Sequence, residues 1–215
     1  MNFKISNMSI WRFRDLDFIK ETFRLSLNEG DTPLEKINIH NNQVSVKRED
    51  KNPNGSFKDR SLAYQISYYH EHGINHFVIS SSGNAAISAA SYIKLIDGTL
   101  DIFLSEKTDP AKKEKINSVI KNTQKVTLHF SQKAKSDAMK FAFEKNYLNL
   151  RGSVDDKAVI GFETISFELF EQDPTIDAIF IPCSSGTSTT GIYKGYFELL
   201  KQRKISKIPQ IHIVQ

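Results

Sequence analysis

A chain of 215 residues is long enough to bury a sizeable core in one or two domains, and 25% charged with 39% hydrophobic residues is the balance of an ordinary soluble globular protein. The net charge of +4 and pI near 9.0 come from lysines spread over helical stretches (Lys112, Lys113, Lys115, Lys121) and a looser group at Lys201, Arg203, Lys204 and Lys207; no nucleic-acid motif accompanies them, so they read as solvated faces. One cysteine, Cys183, excludes an intrachain disulfide and a thiolate metal site, the six histidines lack ligand spacing, and no apolar run approaches the roughly 20 residues of a membrane span or forms a signal-peptide core, which makes the cytoplasm the expected compartment.

The chain begins with an aromatic segment, Ile10-Trp11-Arg12-Phe13-Arg14, and a Gly/Pro turn, Leu27-Asn28-Glu29-Gly30-Asp31-Thr32-Pro33-Leu34. A strand is expected at Val44 to Val46. The run Lys51-Asn52-Pro53-Asn54-Gly55-Ser56-Phe57-Lys58-Asp59-Arg60 follows. Pro53, Asn54 and Gly55 punctuate its backbone, Ser56 can cap a helix, and helical spacing of Leu62, Ile66 and Tyr69 predicts that helix over Lys58 to His72. Lys58 is thereby delivered to a helix start. An amine so held is a candidate Schiff-base former, although the same residues alone also describe a capped surface helix with a solvated lysine.

A second strand-to-helix turn comes next. The apolar run His76 to Ser80 leads through Ser80-Ser81-Ser82-Gly83-Asn84-Ala85-Ala86 into an alanine-rich helix. Small hydroxyl residues and a glycine at a helix start expose backbone N–H groups, a natural carboxylate site or simply an N-cap. Strands are expected at Leu100 to Leu104 and Lys125 to Phe130. Asp109 and Pro110 start one helix and Ser131 opens another ending near Asn146. A third such turn joins the strand Ala178 to Ile181 to a helix through Pro182-Cys183-Ser184-Ser185-Gly186-Thr187-Ser188-Thr189-Thr190-Gly191. Successive N–H groups, hydroxyls and the positive end of the helix dipole make it a candidate phosphate cradle, or a Ser/Thr-rich helix cap. Cys183, ending that strand, reads as a small buried hydrophobe. A last strand is expected at Gln210 to Val214. Strand and helix alternate, which implies right-handed crossovers and parallel sheets.

Taken together and in this order, the three segments resemble those of the pyridoxal-phosphate enzymes of the tryptophan synthase β-subunit type (fold type II). The Ser-Phe-Lys-Asp-Arg ending, the Trp11 segment and the Glu29 to Leu34 turn resemble threonine synthases, with Asn28 in place of a glycine. The resemblance implies an α/β fold of two three-layer domains with mostly parallel sheets and the cofactor, pyridoxal 5'-phosphate, in the cleft between them. It places a small inserted domain at about residues 61–150 and a large domain over 1–60 and 151–215. Lys58 would be the catalytic, cofactor-bearing lysine. Asn84 would face the cofactor ring hydroxyl, Ser81, Ser82, Gly83 and Ala85 would hold the substrate carboxylate, and Ser184, Ser185, Gly186, Thr187 and Ser188 the cofactor phosphate. Ser184 and Thr187 stand where the family usually has glycine, so a differently bent loop or a weakened site is expected there.

The implied activity is conversion of O-phosphohomoserine and water to threonine and phosphate. Asp155-Asp156-Lys157-Ala158-Val159-Ile160-Gly161, with Thr164, Ile165 and Glu168, is instead similar to serine and threonine dehydratases; threonine synthases often carry an arginine near position 158. Against this, dehydratases typically have an apolar residue in place of Asp59. A small anionic amino acid is the expected partner, with no nucleic acid and no membrane. Family members continue past this last strand with further large-domain strands and the residue that meets the pyridine nitrogen. The expectation is therefore an incomplete large domain, either in a truncated product or completed by a second chain that supplies the missing part, with a homodimer as the other expected partner, or else an inactive fragment or binding subunit.

Overall fold

The computed structural model describes residues 9–13, 19–121 and 123–214; Arg14 and Gln215 of the segments above lie outside them. Three sheets organise the described residues. An antiparallel hairpin joins β1 (Leu34–Ile39) to β2 (Asn42–Lys47). A four-stranded parallel sheet has the order β5-β4-β3-β6, formed by β3 (His76–Ser80), β4 (Thr99–Ser105), β5 (Val126–Ser131) and β6 (Leu148–Asn149). A parallel pair unites β7 (Ala178–Pro182) with β8 (Gln210–Val214). This is the expected α/β architecture with mostly parallel strands, to which the hairpin strand β1 and the two-residue β6 are additions.

The four-stranded sheet is the middle of three layers. Alternation along β3 sends Phe77 and Ile79 to one face, where they join the residues of α1 (Lys58–Glu71) and α2 (Asn84–Ile93), and Val78 to the other, against Ala138 and Ala142 of α4 (Ala134–Lys145). Asp109 caps α3 (Pro110–Ile120), accepting from the Ala111 and Lys112 N–H groups, with Pro110 at the first helical position. Ser131 does not open α4. It ends β5, and its hydroxyl accepts from the Lys133 N–H while the helix begins at Ala134 and closes on Asn146 in the left-handed conformation.

A second core forms where α5 (Lys157–Gln172) and α6 (Thr187–Lys201) meet the β7–β8 pair around Phe162, Ile165, Phe167, Ile181, Ile192 and Tyr196. Small residues set how closely these helices approach. A Cβ at Gly161 would lie 2.1 Å from the Arg60 carbonyl oxygen, so α1 and α5 touch backbone to backbone; one at Gly195 would lie 2.5 Å from the Glu163 carbonyl oxygen. The Ser61 hydroxyl crosses the first of these contacts to the Ala158 carbonyl (2.8 Å). Trp11 anchors the N-terminal segment: it is buried, its indole N–H donates to the Leu25 carbonyl (2.8 Å), and it stacks on Tyr64 at 5.8 Å.

Candidate active site

Lys58 is the first residue of α1, and its position follows from the turn before it. The Gly55 N–H closes on the Asn52 carbonyl at 2.8 Å, with Gly55 at φ +78°, and Ser56 Oγ accepts the Lys58 N–H at 3.3 Å. Asp59 fastens the turn from inside: its carboxylate accepts from the Asn54 backbone N–H (2.7 Å) and amide (2.8 Å), and from the Ser88 hydroxyl of α2. The lysine turn and the helix behind the serine turn are thus tied through one buried carboxyl group. Burial raises the Asp59 pKa.

The Lys58 ammonium meets rings in place of carboxylates. Nζ lies 4.6 Å from the centroid of Phe57 and 5.4 Å from that of Phe162, and no described acid pairs with it. Burial alone lowers its pKa, the direction that frees a nucleophilic amine. Its side chain opens into a cavity of about 290 Å³ that also touches Ser81, Ala85, Ser185 and Thr187. The structure therefore brings part of all three sequence motifs to one space. Ser82 lines an adjoining cavity that shares Ser81 with the first.

The remaining site residues expected from the sequence stand at helix starts. Gly83 precedes α2 and Asn84, its first residue, is exposed; no side chain caps this helix. Ser184 is exposed, Gly186 precedes α6, and Ser188 lies in its first turn, again with no side-chain cap. Positive φ in this loop falls on Gly186 (+78°), whereas Ser184 and Thr187 do not adopt it, so the two departures from glycine are carried without left-handed backbone. The Thr187 hydroxyl shares a hydrogen bond with Ser185 (2.9 Å) and donates to the Gly152 carbonyl (3.3 Å), holding the loop on the cavity wall. Cys183 is half-buried just beyond β7, its N–H donating to the Val214 carbonyl (3.0 Å).

These features suit a cofactor bearing an aldehyde and a phosphate. The aldehyde needs a neutral amine, supplied by a desolvated lysine without a counter-ion; the phosphate needs donors, supplied by the uncapped start of α6 with Ser185 and Thr187 on the same cavity. Thr189 Oγ1, in that first turn, is buried without a partner and is a further donor in reserve.

Behind Lys58 lies a buried ionic cluster that the sequence reading did not find. Arg60 is wholly buried and donates to Glu49, Glu168, Thr32 and Thr164; Lys47 adds a second cation on Glu168 at 2.7 Å. Burial pushes the Glu168 pKa up, but Arg60 and Lys47 outweigh it and hold the carboxyl at about 2. The available signal was a charged pair, Asp59-Arg60, at the head of a helix whose next residues are buried, and a glutamate among the apolar residues of α5. Glu29 is the reverse case. It is buried without a cation, bonded to the Tyr92 hydroxyl (2.7 Å) and the Leu27 N–H (2.9 Å), and burial raises its pKa to about 7.

Comparison with known proteins places this geometry. A family model described as "Pyridoxal-phosphate dependent enzyme" matches residues 25–215. A threonine synthase of a Bacillus species is 27% identical over 198 residues, covering 90% of this chain and 56% of that protein. The biosynthetic L-threonine dehydratase of Salmonella typhimurium is 26% identical, covering 85% of this chain and 35% of its own length. The chain thus spans about half the length of the threonine synthases it matches. Among solved structures, a pyridoxal 5'-phosphate-dependent aspartate racemase superposes over 100% of this chain and 64% of its own, with TM-score 0.74 and 21% identity, a likeness of fold. No helix among the described residues is long and apolar enough to cross a membrane.

Proposed function

We propose, because this chain belongs to the pyridoxal-phosphate dependent enzymes, that it carries the cofactor-binding half of a threonine synthase-like lyase acting on O-phosphohomoserine. The observation that carries this reading is the desolvated, counter-ion-free Lys58 on one cavity with the serine turn and the start of α6.

When bound, pyridoxal phosphate supplies an electron sink that acidifies the α-proton of an attached amino acid. The protein's share is positioning and proton handling. Lys58 Nζ would hold the cofactor and is the amine placed to take and return protons; its burial favours the neutral form this requires. The N–H groups at the start of α2, with Ser81, Ser82, Gly83 and Ala85, would receive the substrate carboxylate, and Asn84 would face the ring hydroxyl. Ser184, Ser185, Gly186, Thr187 and Ser188 would receive the cofactor phosphate. Phe57 and Phe162 exclude water from the lysine. Residues 1–60 and 151–215 are assigned to the large cofactor domain and 61–150 to the small one; the separate core around α5–α6 supports that division, whereas the core around the four-stranded sheet also takes in Ile10, Trp11 and Ile19.

The threonine synthase relatives, the buried Trp11 anchor and Asp59, whose carboxylate fastens the lysine turn, favour this branch. A dehydratase acting on serine or threonine is the second reading, favoured by Ala158 and by the dehydratase relative. The test is to measure phosphate and threonine release from O-phosphohomoserine beside ammonia and keto-acid release from serine and threonine, on one cofactor-loaded preparation. Keto acid without phosphate release would transfer the assignment to the dehydratase.

A further inference from the structure

Three cationic side chains line the Lys58 cavity, Lys58, Lys135 and Arg151, and no aspartate or glutamate does. Lys135 lies in the first turn of α4, and Arg151 follows β6 on a different segment. They meet around one residue. Met139 is four positions after Lys135, hence on the same face of α4, and Arg151 Nη1 reaches its sulfur at 3.8 Å. Arg151 Nε also donates to Ser153 Oγ at 3.1 Å, which fixes the guanidinium while leaving Nη2 and part of Nη1 without a protein acceptor among the described residues. Lys135 is exposed and has no carboxylate partner among them. A pair of unneutralised cations on the wall of a cavity attracts an anion, because each would otherwise repel the other.

We propose that Lys135 and Arg151 form a recognition site for a second anionic group of the amino-acid substrate, separate from the α-carboxylate held at the serine turn. This rests on reading the Lys58 cavity as the substrate cavity. Ala158 cannot supply the charge: it is wholly buried, and a Cβ built on Gly152 would lie 3.3 Å from its own Cβ. Arg151 offers a planar fork and Lys135 a point charge, so both phosphate and carboxylate groups fit the pair.

Isothermal titration of the whole chain with O-phospho-L-homoserine, L-glutamate and L-homoserine tests this. The expected result is tighter binding of an amino acid with a second anion than of L-homoserine, by about tenfold or more. Lys135→Gln with Arg151→Gln should remove that advantage while L-homoserine affinity changes less than about twofold, and Arg151→Lys should restore most of it. Equal affinities for all three ligands, no binding of any, or equal loss of charged and neutral ligands in the variants would overturn the proposal. Preference for L-glutamate over O-phospho-L-homoserine would keep the anion site and defeat the proposed substrate. Failure of the cofactor to label Lys58 would defeat the functional reading while leaving the titration, which needs no cofactor, intact.

Discussion

Arg60 donates to both carboxylate oxygens of Glu168, each across 2.7 Å, and neither side chain is exposed. Arg60 sits two residues beyond Lys58, and Glu168 is on α5, so this pair fixes the base of the lysine helix against the helix that also carries Phe162. Two buried charges recover their desolvation only while both are present.

Glu168→Gln should therefore lower stability by about 3 kcal/mol or more, and Arg60→Leu by at least as much, since it strands Glu49 beside Glu168. Replacing both by leucine should cost less than the sum of the single changes. Urea denaturation of the three variants measures this, and additive losses would mean that the two side chains act independently.

Stability should fall as pH rises from about 5 to about 7.5. Glu29 remains protonated in the fold up to about 7, whereas in the unfolded chain it ionises near 4.5. The folded state thus binds the extra proton between those values, and the stabilisation present below the lower one is lost as pH rises through the upper one, by an amount on the order of 2–3 kcal/mol. Glu168 has the opposite sign: held at about 2, it stabilises above its unfolded value and stops doing so only as pH falls toward 2. Melting temperatures across pH 5 to 8 should slope downward in the native chain and flatten in Glu29→Gln. An unchanged slope in that variant would remove Glu29 as its source.

Gly161→Ala should destabilise more than Gly186→Ala. The first places a Cβ 2.1 Å from the Arg60 carbonyl and must force α1 from α5, at about 2 kcal/mol or more. The second meets open space and bears only the cost of φ +78°, about 1 kcal/mol. Thermal melts of the two variants give the order directly.

Lys58 should be labelled by pyridoxal phosphate and borohydride at lower pH than the surface lysines, because its lowered pKa leaves more neutral amine near pH 7. Peptide mapping after reduction at pH 6, 7, 8 and 9 should find the Lys58 peptide dominant at the lower values, with other lysines gaining only as pH climbs. Label spread evenly over lysines at pH 7, unchanged in Lys58→Ala, would exclude the assignment.

What was legible in the sequence is what local chemistry dictates. The strands β3 and β8 were read to the residue because apolar runs between turn signals leave little choice of ends, and the α3 cap because Asp109 and Pro110 act on adjacent N–H groups. β1 escaped because most of it is exposed and its Glu35 and Lys36 break the apolar alternation. Asn28, where a glycine was expected, adopts φ +69°, a value asparagine tolerates, so the departure left the turn intact. The cavity cations were hidden for another reason: Lys135 and Arg151 belong to separate elements, and only the parallel order of β3, β4, β5 and β6 brings their segments to the same end of the sheet.

The Arg60–Glu168 pair also sets an order of events during synthesis. Its partners are 108 residues apart, so at about 5–20 residues per second the lysine turn leaves the ribosome on the order of ten seconds before the carboxylate that braces it. Through that interval Arg60 is a hydrated, mobile charge and the amine beside it has no rigid support. On the proposed assignment of Lys58, productive capture of an aldehyde there would be a late step of biogenesis, following arrival of α5.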